Sequence, residues 1–218
     1  MRGRLRARRR NADAPWVVVT GLDGSGKTTL VAGLAKHLRA HSFRLPFHEF
    51  VLPLLSKSGG GSAHGDVHTD RLVFALDARL ANYSIREWRK SKKVLVSQRG
   101  WMDNFIFGAA QGLSYREIDA MLRTAELERA SAHIFLTAAP EVAFERIRGS
   151  AHRDKYETRE FLAVQFKETL RFLKAAQRET PVLQAFAGIP AIHLDTTTAS
   201  PEETLAKSLR FLDGLKIC

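Results

Sequence analysis

"VVVTGLDGSGKTTLVAGLAKHL", residues 17–38, decides the fold. With Trp16 just ahead of it, the run 16–20 reads as a buried strand, and Leu30, Val31, Leu34 and Leu38 recur at helical spacing. Between the two, Gly21, Gly26, Lys27 and Thr28 fit the pattern G-x-x-x-x-G-K-[ST] in the strand–turn–helix setting that defines a P-loop. Glycines let successive backbone N–H groups turn inward as a nest for phosphate oxygens, and the helix start adds partial positive charge. Lys27 is placed to neutralise phosphate, and the Thr28 hydroxyl to hold Mg²⁺. A tight turn alone would account for the glycines but not for Lys27 and Thr28. The expected ATP site is thus Gly21, Asp23, Gly24, Ser25, Gly26, Lys27, Thr28 and Thr29, with Thr28 as the metal ligand.

Outside this stretch, strand-like runs alternate with helical patterns. Strands are expected at 44–52, 93–97, 132–137 and 190–195; helices at 69–90, 114–130, 158–177, a short one from Pro140 and a last one capped at Ser200. Ser114 and Glu117 form the signature of a capping box. This alternation predicts an α/β fold, a parallel sheet with helices on both faces. The glycine-rich stretch 57–66 reads as a loop.

Composition narrows the classes. A chain of 218 residues with 44% hydrophobic content buries a core of its own and most simply forms one domain. No apolar run reaches the roughly 18 residues of a bilayer crossing, so no membrane partner and a soluble, cytoplasmic protein are expected. The one cysteine, Cys218, argues against disulfides and zinc clusters. Of the net charge of +11, "MRGRLRARRR" supplies six arginines. That tail, 1–14, reads as a solvated extension; no aromatic residue interrupts it to stack on a base, which argues against nucleic acid, though a nucleic-acid or membrane arm stays open. Guanine-reading N-K-x-D is missing, against a GTPase.

Further segments fall in an order of their own. "FALDAR" (74–79), "VLVSQRG" (94–100), "APEVAFERI" (139–147) and "HRDKYE" (152–157) follow "VVVTGLDGSGKTT". In this order and spacing the chain resembles the thymidylate kinases over most of residues 16–215. The resemblance implies a P-loop NTPase fold with a five-stranded parallel sheet, a kinase domain at 15–218 with a lid near 148–157, and homodimerisation through a long helix such as 69–90. It implies transfer of the ATP γ-phosphoryl group to a small-molecule acceptor, a (deoxy)nucleoside monophosphate such as dTMP. Lys27, Arg99, Arg153 and Glu49 are the expected catalytic residues, Arg153 as the lid arginine with Arg146 and Arg148 nearby. Asp23, Glu49, Phe74, Arg79, Arg99 and Asp103 are the expected acceptor contacts.

The departures from the family pattern are specific. Gln98 stands where an acid is expected, and Asp103, on the same helical face as Arg99 if 101–109 is helical, is a candidate replacement. His48-Glu49-Phe50 stands where Arg-Glu-Pro is expected, and Ile106-Phe107-Gly108 where a glutamine reads thymine. Two other readings therefore stay open: a kinase for a nucleoside or other small hydroxyl compound with Glu49 as general base, and a nucleotide-binding regulatory protein without catalysis.

Overall fold

The computed structural model describes residues 13–48, 67–91, 93–149, 157–177 and 181–217. Five parallel strands, β1 (Trp16–Gly21), β2 (His41–Arg44), β3 (Leu95–Gln98), β4 (Ala132–Thr137) and β5 (Ala191–Asp195), form one sheet in the order β2-β3-β1-β4-β5. Helices α1 (Lys27–Leu38), α2 (Val67–Arg89), α3 (Trp101–Ala110), α4 (Tyr115–Leu122), α5 (Pro140–Ile147), α6 (Arg159–Gln177) and α7 (Pro201–Gly214) connect and cover them.

Alternation along the strands separates two cores. Val17 and Val19 of β1 and Ile134 and Leu136 of β4 face α1 and α7, packing with Leu30, Leu34 and Leu212. Trp16, Val18 and Phe135 face the opposite layer of α2, α3, α4 and α6. There Phe105, Phe172 and Phe186 meet with ring centroids 5.5–6.0 Å apart, an edge-on and tilted arrangement that suits the ring quadrupoles. The buried Trp16 indole N–H donates to Ser97 Oγ at 2.9 Å, so this large side chain is buried without an orphan donor.

Two expected elements are corrected. The second strand is His41–Arg44, not 44–52: His41 pairs with Leu95 and Arg44 with Gln98, and the Leu45 N–H makes one more bond to Gln98 O. Pro46 then has no N–H to continue the ladder; residues 49–52 lie outside the described residues. The helix expected at 114–130 ends at Leu122, where Arg123 takes a left-handed conformation (φ 51°) and its N–H closes on Asp119 O. A 3₁₀ turn at Thr124–Glu126 follows. The Ser114–Glu117 capping box forms. Ala14, at the end of the stretch read as tail, is buried, its N–H bonded to Arg89 O. The loop expected at 57–66 lies outside the described residues. Among the described residues no helix is long and apolar enough to cross a membrane.

Candidate active site

The P-loop leaves the carboxyl end of β1, the edge at which an open parallel sheet presents its ligands. Two glycines are required for different reasons. Gly24 has φ +81°, and a Cβ there would lie 2.2 Å from Ala143 O of α5. Gly26, the N-cap of α1, has φ +87° and open space around it. Because Gly26 has no side chain and the first turn of α1 has no acid, nothing caps the helix start. Its first N–H groups have no intrahelical acceptors, which makes it an anion site. The close fit of Gly24 against α5 also explains why this loop carries no arginine at that position.

Around the loop stands a triad of charges. The Lys27 ammonium, almost fully buried, donates to Leu22 O at 2.8 Å and to Asp23 Oδ1 at 3.1 Å. Arg99, just after β3 with φ 70°, donates to the same carboxylate at 2.9 Å. Burial alone would raise the Asp23 pKa, but Lys27 and Arg99 outweigh it and hold the carboxyl well below the usual carboxylate range. Burial lowers the pKa of Lys27, with Asp23 opposing. Arg44, at the end of β2, lies within electrostatic reach of Arg99 and Asp23; burial, then repulsion from Arg99, lowers its pKa. No motif marks Arg44 in the sequence; the pairing of β2 with β3 is what brings it to this edge.

The loop is anchored from behind. Thr196, following β5, donates its hydroxyl to Ser25 O at 3.1 Å, and its own N–H bonds Thr137 O. Arg146 of α5 donates to Gly24 O at 3.2 Å and to Thr196 O at 2.7 Å. Arg146, Thr29, Gly26 and Pro201 line a cleft beside the P-loop on the α7 side. Thr28 Oγ1 donates to Gln98 Oε1 at 3.2 Å, so the residue standing in the acid's place meets the expected metal ligand.

On the other side of Arg99 opens a second pocket, walled by Arg71, Phe74, Asp77, Arg99, Asn104 and Phe107, with Gln165 from α6. Of the expected acceptor residues, the structure brings Phe74, Arg99 and Asp103 to this wall. Arg79 is a correction: it points to a different cleft and donates to Glu126 at 2.6 Å. Arg71 faces the pocket in its stead, its guanidinium 4.3 Å from the Phe74 ring centroid and 5.2 Å from that of Phe107. Asp103 accepts from the Gly100 N–H at 2.7 Å and from Thr20 Oγ1 at 2.8 Å, tying β1 to the start of α3; burial raises its pKa against the pull of Arg99. Arg148 pairs with Glu145 at 3.2 Å. Glu49 and Arg153 lie outside the described residues, although Asp77 holds the chain just before Glu49 by accepting the Phe47 and His48 N–H groups at 2.9 and 2.8 Å.

Comparison with known proteins places the chain among relatives. A family model described as an AAA domain matches residues 16–181. A protein of Pyrobaculum aerophilum named "Probable thymidylate kinase" is 30% identical over 178 residues, spanning 78% of this chain and 88% of its own. One of the same name from Pyrobaculum calidifontis is 29% identical over 150 residues, spanning 67% and 76%. The solved thymidylate kinase of Candida albicans superposes with a TM-score of 0.76 over 95% of both chains at 16% identity, which shows the shared fold. With its P-loop, its parallel sheet and these relatives, the chain belongs to the thymidylate kinase-like family of P-loop nucleotide kinases, ATP-dependent phosphotransferases.

Proposed function

We propose that the chain moves the γ-phosphoryl group of ATP to a nucleoside 5′-monophosphate, with dTMP the first acceptor to test. One observation supports this most: Arg99 belongs both to the P-loop charge triad and to the wall of the neighbouring pocket. A guanidinium at that boundary suits an acceptor that brings its own phosphate to the donor's phosphates. In the transfer, an ionised acceptor phosphate oxygen forms the new bond to the γ-phosphorus. The bond from that phosphorus to the β–γ bridging oxygen breaks, and ADP leaves. Since that oxygen already carries charge, no general base is needed, and Glu49 is assigned to acceptor positioning.

The protein's part is positioning and charge. Main-chain N–H groups of residues 24–29 grip the β- and γ-phosphates. Lys27 and Arg99 turn from Asp23 to phosphoryl oxygens and stabilise the charge of the transition state. Arg71, Phe74 and Phe107 hold the acceptor base, and Arg146 with Thr29 borders the donor base. Thr28 and Gln98, two converging neutral oxygens, fit a Mg²⁺ that arrives on the nucleotide and keeps most of its water. Such an ion would supply charge neutralisation to the triphosphate, with Thr28 and Gln98 as the residues that would hold it. Arg153, in the segment 148–157 proposed as lid, is assigned to the γ-phosphate. The domain is assigned to 14–218, Ala14 being packed against α2, with residues 1–13 as tail, and the protein to the cytoplasm.

Leu72, Leu76, Leu80 and Tyr83 run as an exposed apolar stripe along α2. A second copy of the chain is the proposed occupant, and sedimentation should give a dimer that Leu76→Glu dissociates. For the activity itself, the full chain with Mg-ATP is offered nucleosides and nucleoside monophosphates, and ADP and nucleoside diphosphate are quantified together. Equal amounts of both from a monophosphate, and none from the matching nucleoside, are expected. ADP release with nucleosides alone would overturn the reading.

A further inference from the structure

A cavity of about 470 Å³ lies on the α3/α6 side of the sheet, under β4 and β5. It shares no wall residue with the acceptor pocket or with the cleft beside the P-loop. It lies against the amino-terminal halves of β4 and β5, through His133, Phe135, Ala191 and His193, whereas the P-loop leaves the carboxyl end of β1. Its size falls within the range of small-molecule sites, roughly 300–1,000 Å³.

The lining has three kinds of surface. Phe135, Phe186 and Leu173 make it apolar. Lys174 of α6 places an ammonium at the exposed rim. On the floor is His133, 4% exposed, whose Nδ1 and Nε2 both have no hydrogen-bond partner among the described residues. A buried polar atom left in that condition is costly, and folded proteins avoid it unless something else supplies the partner. Neutral imidazole offers one N–H donor and one nitrogen acceptor, a pairing that a hydroxyl group answers with its own acceptor and donor.

We propose that this cavity is a second ligand site, separate from phosphoryl transfer, for a small aromatic acid carrying a hydroxyl. The ring system lies against Phe135 and Phe186, the carboxylate meets Lys174, and His133, whose two ring nitrogens are both closed to solvent, turns its ring to pair with the hydroxyl. The inference does not depend on which acceptor the kinase uses, because its readout is binding.

The probe is 6-hydroxy-2-naphthoate, with 2-naphthoate lacking the hydroxyl and 2-naphthol lacking the carboxylate. Titration calorimetry on the full chain is run with a non-hydrolysable ATP analogue and dTMP at saturating levels, so that both nucleotide subsites are filled. One saturable site is expected, tightest for the bifunctional probe. Lys174→Gln should weaken both acids about fivefold, the scale of a rim ion pair, and leave 2-naphthol unchanged. His133→Leu should erase the preference for the hydroxylated acid over 2-naphthoate. Ala176→Trp, which fills the cavity from its wall, should lower affinity for all three at least tenfold. Should that variant fail to fold, the Lys174 and His133 variants decide the matter between them. Absence of saturable heat up to millimolar probe would mean the cavity holds solvent only. Equal affinities across the parent and every folded variant would mean adventitious binding elsewhere. Either result overturns the proposal.

Discussion

Gly24 and Gly26 share a left-handed backbone, yet alanine at each should fail differently. At Gly26 the added methyl meets nothing within 4 Å, so Gly26→Ala is charged only with the conformation, about 1–2 kcal/mol. For a chain of this length each kcal/mol lowers Tm by roughly 2–4 °C, so a fall of roughly 2–8 °C is expected. Gly24→Ala carries the same cost and a collision besides. Its Cβ would stand 2.2 Å from Ala143 O, and real Cβ contacts essentially never fall under 3.0 Å, so backbone must separate from backbone by about 0.8 Å. The parts that would give are the P-loop and α5, which Arg146 joins by its bond to Gly24 O. A displacement approaching 1 Å at a reacting centre costs on the order of a hundredfold in rate. Gly24→Ala should therefore melt below Gly26→Ala and lose about a hundredfold in kcat/KM. Differential scanning calorimetry and a coupled ADP assay on both variants provide the check. If Gly24→Ala melts at or above Gly26→Ala and turns over like the parent, the contact with α5 does not set the loop's shape and the reasoning fails.

The other expectations concern side chains. Arg71→Ala should lower kcat/KM for the monophosphate at least tenfold while Arg79→Ala stays within about twofold, since the Arg79–Glu126 pair is an exposed one; the reverse order would move the acceptor site. Gln98→Asp puts a carboxylate beside Thr28 and should lower the Mg²⁺ concentration for half-maximal turnover about tenfold, equivalent to about 1.4 kcal/mol; an unchanged Mg²⁺ titration would remove position 98 from the metal's surroundings. Burial pushes the His133 pKa down to about 3, so the imidazole stays neutral in the fold while the unfolded chain takes up a proton near its ordinary value of 6.5. The unfolded state then binds more protons, and stability is lost as pH falls from about 6.5 toward 3, by up to about 1.4 kcal/mol per pH unit. Urea midpoints at pH 7.5 and 5 should show this slope reduced in His133→Leu; the same decline in both chains would place the proton elsewhere. Phe172→Ala, at the centre of the aromatic cluster, should cost about 3–5 kcal/mol by urea titration.

The P-loop and β1 were legible because one motif encodes their backbone: glycines at fixed offsets after a β-branched run allow few other conformations. Helix boundaries at Ser114 and Ser200 were legible for the same local reason, a hydroxyl cap with an acid three residues on. What sequence missed depends on phase and register. Arg79 follows Phe74 by five residues, which on a helix of 3.6 residues per turn is about 140° away, and so faces Glu126. Arg71 precedes Phe74 by three and shares its face, as that spacing dictates. Arg44 was hidden because the strand was read three residues late: pairing with β3, not local pattern, places the end of β2 beside Gln98. The role of Asp103 likewise rests on Thr20, eighty-three positions away, a contact no local spacing announces.

Asp23, clasped by Lys27 and Arg99, has a consequence for selectivity. The site carries its own counter-ion, so any incoming anion takes part in an exchange rather than filling bare positive charge. A singly charged intruder swaps like for like and gains almost nothing, whereas a polyphosphate outbids the carboxylate at both cations at once. Sorting by valence is thus built into a single side chain before any base is read.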